Sequence, residues 1–79
     1  MRIAIVDDKK EIQQQLGEFI KTYSTDQQIP ITVTYFSNGL EIVDNYRSNF
    51  DVIYFDVQMP IMDGMTAAKK IRQVDENVI

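Results

Sequence analysis

Short apolar runs rich in branched residues alternate along this chain with longer segments that repeat at helical spacing. That alternation restricts the possible folds more than any other feature. "RIAIV", Arg2–Val6, reads as a buried strand. From residue 9 to about 25, Ile12, Leu16, Phe19, Ile20 and Tyr23 form one amphipathic stripe, with Gln13, Gln14, Glu18 and Lys21 opposite and Asp8 placed to cap the helix. "IPITVTYF", 29–36, is a second strand; Pro30 and the alternation of Ile31, Val33 and Tyr35 with Thr32, Thr34 and Phe36 place it at a sheet edge. Asn38 and Glu41 have capping-box spacing and open a helix to about Arg47, with Leu40, Val43 and Tyr46 inward. "DVIYFD", 51–56, is apolar on both faces and is expected at the centre of a covered sheet. Pro60 keeps Met59 out of helical geometry, and Asp63 and Gly64 start a third helix with Met65, Ala68, Ile71 and Val74 inward. At "ENVI" a further strand begins.

The order β-α-β-α-β-α-(β) predicts an α/β fold: a doubly wound parallel sheet with right-handed crossovers and helices on both faces. In such sheets ligands gather outside the carboxyl ends of the strands. Two apolar runs stop there at acidic residues, the first at Asp7 and Asp8, the third at Asp56. If the two strands are neighbours, three carboxylates converge.

Composition limits what these carboxylates do. The chain has 79 residues with no cysteine and no histidine, so disulfides, thiolate or imidazole metal sites, a Ser-His pair and a histidine phosphocarrier are absent from it. A net charge of −4 argues against a nucleic-acid surface in this segment. No apolar run reaches the ~20 residues of a membrane span, and a strand beginning at Arg2 leaves no room for a signal peptide. A cytoplasmic protein is expected.

Clustered carboxylates repel unless a cation joins them. Oxygen donors without nitrogen or sulfur favour a hard ion, and one or two carboxylates plus water suit Mg²⁺ beside a phosphate. An aspartate can also be a nucleophile toward phosphorus. Taken singly, an adjacent acidic pair is more often a helix cap with a solvated neighbour, and a strand-terminal Asp is often only that. Their joint occurrence at matching strand ends reverses the balance.

The runs "IAIVDD", "DVIYFDVQMPIMDG" and "MTAAKKIR" resemble the response-regulator receiver domains of two-component signalling, over all 79 residues. The resemblance implies a flavodoxin-like (CheY-like) sheet with strand order 2-1-3-4-5. It implies that Asp56 accepts a phosphoryl group from a sensor histidine kinase, with Mg²⁺ held by Asp8, Asp56, the Gln58 main-chain carbonyl and, through water, Asp7. Pro60 and Gly64 would shape the loop carrying that carbonyl. The wording "MPIMDGMTAAKKIR…ENVI" is also similar to receivers attached to LytTR-type DNA-binding domains, which points to control of transcription by an output domain outside these residues.

Against the family pattern, the chain ends as the fourth strand begins, so it is expected to be the N-terminal two-thirds of a receiver, residues 1–79 being an incomplete domain. The family's switch Thr or Ser and its phosphate-contacting Lys have no matching positions. Slower phosphorylation is expected, and self-association through an exposed strand edge or by exchange of elements. Two rivals belong to other classes. A phosphorylation-independent interaction module would bind partners indifferently to Mg²⁺. A haloacid-dehalogenase-like phosphatase would want a D-x-D pattern after its first strand, whereas the pair here is adjacent.

Overall fold

The computed structural model describes residues 1–44, 46, 49–56 and 62–79. Within them the elements run β1 (Arg2–Val6), α1 (Lys10–Gln27), β2 (Thr32–Phe36), α2 (Gly39–Asp44), β3 (Val52–Phe55) and α3 (Gly64–Val74). The strands form one parallel sheet ordered β2-β1-β3. β2 lies at an edge, as its alternation predicts. Of these three strands β1 is the middle one. Beyond β3, Ile79 donates its N–H to the Asp51 carbonyl at 3.1 Å and accepts from the Ile53 N–H at 2.9 Å. That is the bond pattern of a parallel pairing, so the expected further strand has its first contact here.

The register sorts side chains onto two faces. Ala4 and Val6 align with Thr34 and Phe36 on one side and Ile53 and Phe55 on the other. Their face carries the main core, in which Ala4, Val6, Ile42, Phe50, Ile71 and Val78 are buried and Phe36, Ile53 and Phe55 pack against them. Phe36 meets Phe50 edge to face, ring centroids 5.9 Å apart. α2 and α3 cover this face and pack on each other. The other face aligns Tyr35, Ile5 and Tyr54, and α1 contacts β1 there. A helix is about 10 Å across, enough to cover the central strand and little more. Ile5 is therefore fully buried, while Tyr35 and Tyr54 beside it are 46% and 45% exposed. Tyr54 thus departs from its expected core position.

Helix orientations differ from the sequence reading in consistent ways. α1 buries Gly17 and half-buries Ile12, Leu16 and Ile20, but Phe19 and Tyr23 are exposed. Its inner face is rotated toward Gln13 and Gly17, because Gln13 bonds to the sheet's end and Gly17 lies against the Tyr35 hydroxyl. In α2 the core residue is Ile42, with Leu40 exposed. The expected end near Arg47 lies outside the described residues. In α3, Ala67 and Ile71 are buried, whereas Met65 and Val74 are exposed. A Cβ at Gly39 would stand 2.7 Å from the Met62 carbonyl oxygen and 3.0 Å from the Ala67 Cβ, so α2 and the start of α3 approach each other closely at small residues.

Two of the three predicted helix starts are present, that of α2 in modified form. The Glu41 N–H donates to Asn38 Oδ1 at 3.0 Å, and the return bond runs from the Ser37 N–H to Glu41 Oε1 at 2.9 Å, one residue before the usual place. Asp63 caps α3 by accepting the Thr66 N–H at 2.8 Å, and that bond holds its carboxyl below the ordinary range. α1 closes through Gln28, which adopts the left-handed conformation (φ 56°, ψ 39°), while the Ile29 N–H returns to the Ser24 carbonyl at 3.0 Å. Among the described residues no helix is long and apolar enough to cross a membrane.

Candidate functional site

β1 and β3 are neighbours in register, Val6 aligned with Phe55. One step further along, Asp7 and Asp56 stand level, and the ladder still holds them. The Asp56 N–H donates to the Val6 carbonyl at 2.9 Å, and the Asp7 N–H to the Phe36 carbonyl at 3.0 Å. The backbone therefore delivers both carboxylates to the carboxyl end of the sheet before any side-chain interaction is counted.

Asp7 is the most enclosed of the acidic residues, at 3% exposed. Its Oδ1 accepts the Lys9 N–H at 2.9 Å, a charge-assisted bond that fixes the turn into α1. Asp8, expected to cap that helix, does not do so: Lys9 occupies the cap position, no side chain bonds there, and the Asp8 carboxylate points instead to the acidic cluster. One carboxylate oxygen from each of Asp7, Asp8 and Asp56 falls within 4.8 Å of the others. Asp8 and Asp56 keep partial solvent access, with side chains 34% and 22% exposed.

Two residues outside the sequence-based set complete the arrangement. Gln13 donates from Nε2 to the Asp7 carbonyl at 2.7 Å and to the Phe36 carbonyl at 3.2 Å, tying the ends of β1 and β2 together. Lys9 brings Nζ to 3.3 Å from Asp8 Oδ1 and 3.4 Å from Asp56 Oδ2. Its bond to Asp8, and then that to Asp56, push the Lys9 ammonium above its ordinary pKa. A cation directly after an acidic pair was the available signal for Lys9; nothing in the sequence marked Gln13.

Gly64 lies where the loop returns to the sheet. A Cβ there would run into the Asp56 main-chain carbonyl and stand 3.1 Å from the Phe55 Cβ. Only glycine lets the start of α3 sit this close to the end of β3. Gln58 and Pro60, the other loop positions singled out from the sequence, lie outside the described residues.

The donor set suits a hard divalent ion. An octahedral shell of ~2.1 Å radius spaces its oxygens about 3 to 4.2 Å apart. A group spread over at most 4.8 Å matches such a shell after small shifts, or with water carrying the third carboxylate. Among the described residues the cluster offers carboxylate oxygens only, a donor set that disfavours zinc or copper.

Comparison with known proteins identifies the family and the fold. The profile of the response regulator receiver domain matches residues 3–79. A protein-glutamate methylesterase/protein-glutamine glutaminase of Vibrio parahaemolyticus is 33% identical over 72 residues, which cover 90% of this chain and 18% of that protein. The crystal structure of the CheX-CheY-BeF₃-Mg²⁺ complex from Borrelia burgdorferi superposes with a TM-score of 0.79 at 30% identity, covering 99% of this chain and 57% of that one. The complex of the histidine kinase ThkA with the response regulator TrrA, from Thermotoga maritima, gives a TM-score of 0.77 at 28% identity, with coverages of 98% and 62%. The chain thus spans less than two thirds of each of these proteins. A parallel CheY-like sheet, the register of its acidic ends and a family match across nearly every residue lead to one assignment: the chain belongs to the response-regulator receiver domain family.

Proposed function

We propose that residues 1–79 carry the phosphoacceptor half of a two-component receiver, with Asp56 as the residue that takes the phosphoryl group and a sensor histidine kinase as donor. The observation that carries this reading is the convergence of Asp7, Asp8 and Asp56 at the paired ends of β1 and β3. A carboxylate oxygen of Asp56 would form the new P–O bond as the donor's bond to phosphorus breaks and its electron pair leaves with the donor. Asp8 and Asp56 would hold Mg²⁺ directly and Asp7 through water, with the Gln58 main-chain carbonyl as a further ligand. When bound, the ion offsets negative charge on the transferring phosphoryl group. Asp7 also orients the turn through the Lys9 N–H, and Gly64 keeps the Asp56 backbone in place.

The kinase assignment is supported by the Thermotoga complex and the Mg²⁺ assignment by the Borrelia complex, both formed by relatives. A cytoplasmic location goes with a kinase of this class. We read the output as control of transcription through a LytTR-type domain on the wording of the "MPIMDG" segment alone. The methylesterase relative carries a receiver-like segment in a protein of a different activity.

Incubation of the full chain with Mg²⁺ and a small-molecule phosphodonor, followed by intact-mass analysis, tests the central claim. A single phosphoryl adduct is expected, absent in Asp56→Asn and absent when the metal is chelated. An adduct that persists in Asp56→Asn would overturn it.

A further inference from the structure

We infer that Lys9 is a tethered counter-ion which competes with the divalent cation for Asp8 and Asp56, and so sets how tightly the pocket holds its metal. This rests on the reading of the pocket as a Mg²⁺ site.

The ammonium lies against the same two carboxylates that the reading gives to the ion, at 3.3 and 3.4 Å. Both cations draw on the same oxygens, so occupancy by one weakens the other. The main chain fixes where the competitor is anchored: the Lys9 N–H bonds to Asp7 Oδ1 at 2.9 Å, and its carbonyl accepts the Gln13 N–H at 3.1 Å. The side chain itself is loosely held. It is 60% exposed, and its contacts are long for charge-assisted bonds, which run to about 2.7–2.9 Å. An arriving ion therefore displaces Lys9 at small penalty, and Lys9 weakens binding without blocking it. In the metal-free protein the same ammonium relieves the mutual repulsion of the acidic residues.

Exposed ion pairs of this sort shift equilibria by small factors, so removing two of them should tighten Mg²⁺ binding by about 3- to 10-fold. Mg²⁺ titration of the full chain, followed by the amide resonances of Asp7, Asp8 and Asp56, gives the affinity independently of phosphorylation. Lys9→Met should bind more tightly by that factor, and Lys9→Arg, which keeps the charge, should stay near wild type. Lys10→Met makes the same change in net charge one residue on, where among the described residues no ion pair is formed, and should also stay near wild type. Thermal melts add a second readout: Lys9→Met should melt lower than wild type without metal and match it in saturating Mg²⁺. If Lys9→Met does not fold, Lys9→Gln replaces it in both measurements. Equal affinity in Lys9→Met and Lys10→Met, or weaker binding in Lys9→Met, overturns the counter-ion role while the Mg²⁺ site stands. A wild-type spectrum that does not respond saturably to Mg²⁺ overturns the site reading itself, and the role of Lys9 with it.

Discussion

A methyl group at position 64 would be driven into the Asp56 main-chain carbonyl, and backbone cannot swing aside as an exposed side chain does. Overpacking of this kind typically costs about 1–3 kcal/mol. Gly64→Ala is therefore expected to lower stability by about that amount in urea unfolding, and to weaken Mg²⁺ binding by moving the end of β3. Unchanged stability would mean that α3 can slide away from the sheet. At this scale the acidic residues were legible in the sequence because each interrupts an apolar run, where a carboxylate is conspicuous. Lys9 and Gln13 were not. A lysine after two aspartates is ordinarily a solvated side chain, and its reach to Asp56 exists only once β3 lies beside β1. A glutamine on the second turn of a helix reads as polar surface until the strand carbonyls it serves are in place.

Elements were legible in kind and order more than in orientation. The alternation of apolar runs and helical stripes located each strand and helix described above. Which side of a helix turns inward depends on neighbours that its own periodicity does not contain. Phe19 and Tyr23 belong to the apolar stripe of α1, yet the helix turns Gln13 and Gly17 toward the sheet instead. In α3 it is Ala67, beside Gly39 of α2, that is buried, while Met65 is exposed. The end of α1 offers a prediction at the same scale. Gln28 holds a left-handed conformation, which a residue with a Cβ adopts at a penalty of roughly 1 kcal/mol. Gln28→Gly should stabilise the protein by about 0.5–1 kcal/mol in denaturant unfolding, with the added backbone freedom of the unfolded chain subtracting part of the gain. A loss of stability would show that the glutamine side chain contributes to the cap.

For the molecule as a whole, the sheet order followed from the resemblance and not from periodicity, and the three strands described, β2-β1-β3, follow its first part. β3 has β1 on one side and the Ile79 main-chain bonds on the other, so its apolar character goes with a strand that has neighbours on both edges in a covered sheet. Among the described residues β2 is paired on one side only, and a row of open N–H and C=O groups is a template for another chain. Concentration-dependent self-association is the expected result in sedimentation velocity; a single monomeric species across the series would remove strand-edge pairing from consideration.

The acidic pocket takes its width from the sheet. Asp7 and Asp56 are level because Val6 and Phe55 are in register and the Asp56 N–H is bonded to the Val6 carbonyl, and neighbouring strands lie about 4.8 Å apart whatever side chains they bear. The dimension that matters for holding a small ion is thus a property of peptide geometry, available to any sequence that pairs these two strands in this register. Core and surface residues are free to drift so long as the pairing survives, whereas a one-residue slip of β3 would turn Asp56 to the opposite face and abolish the pocket with every side chain intact.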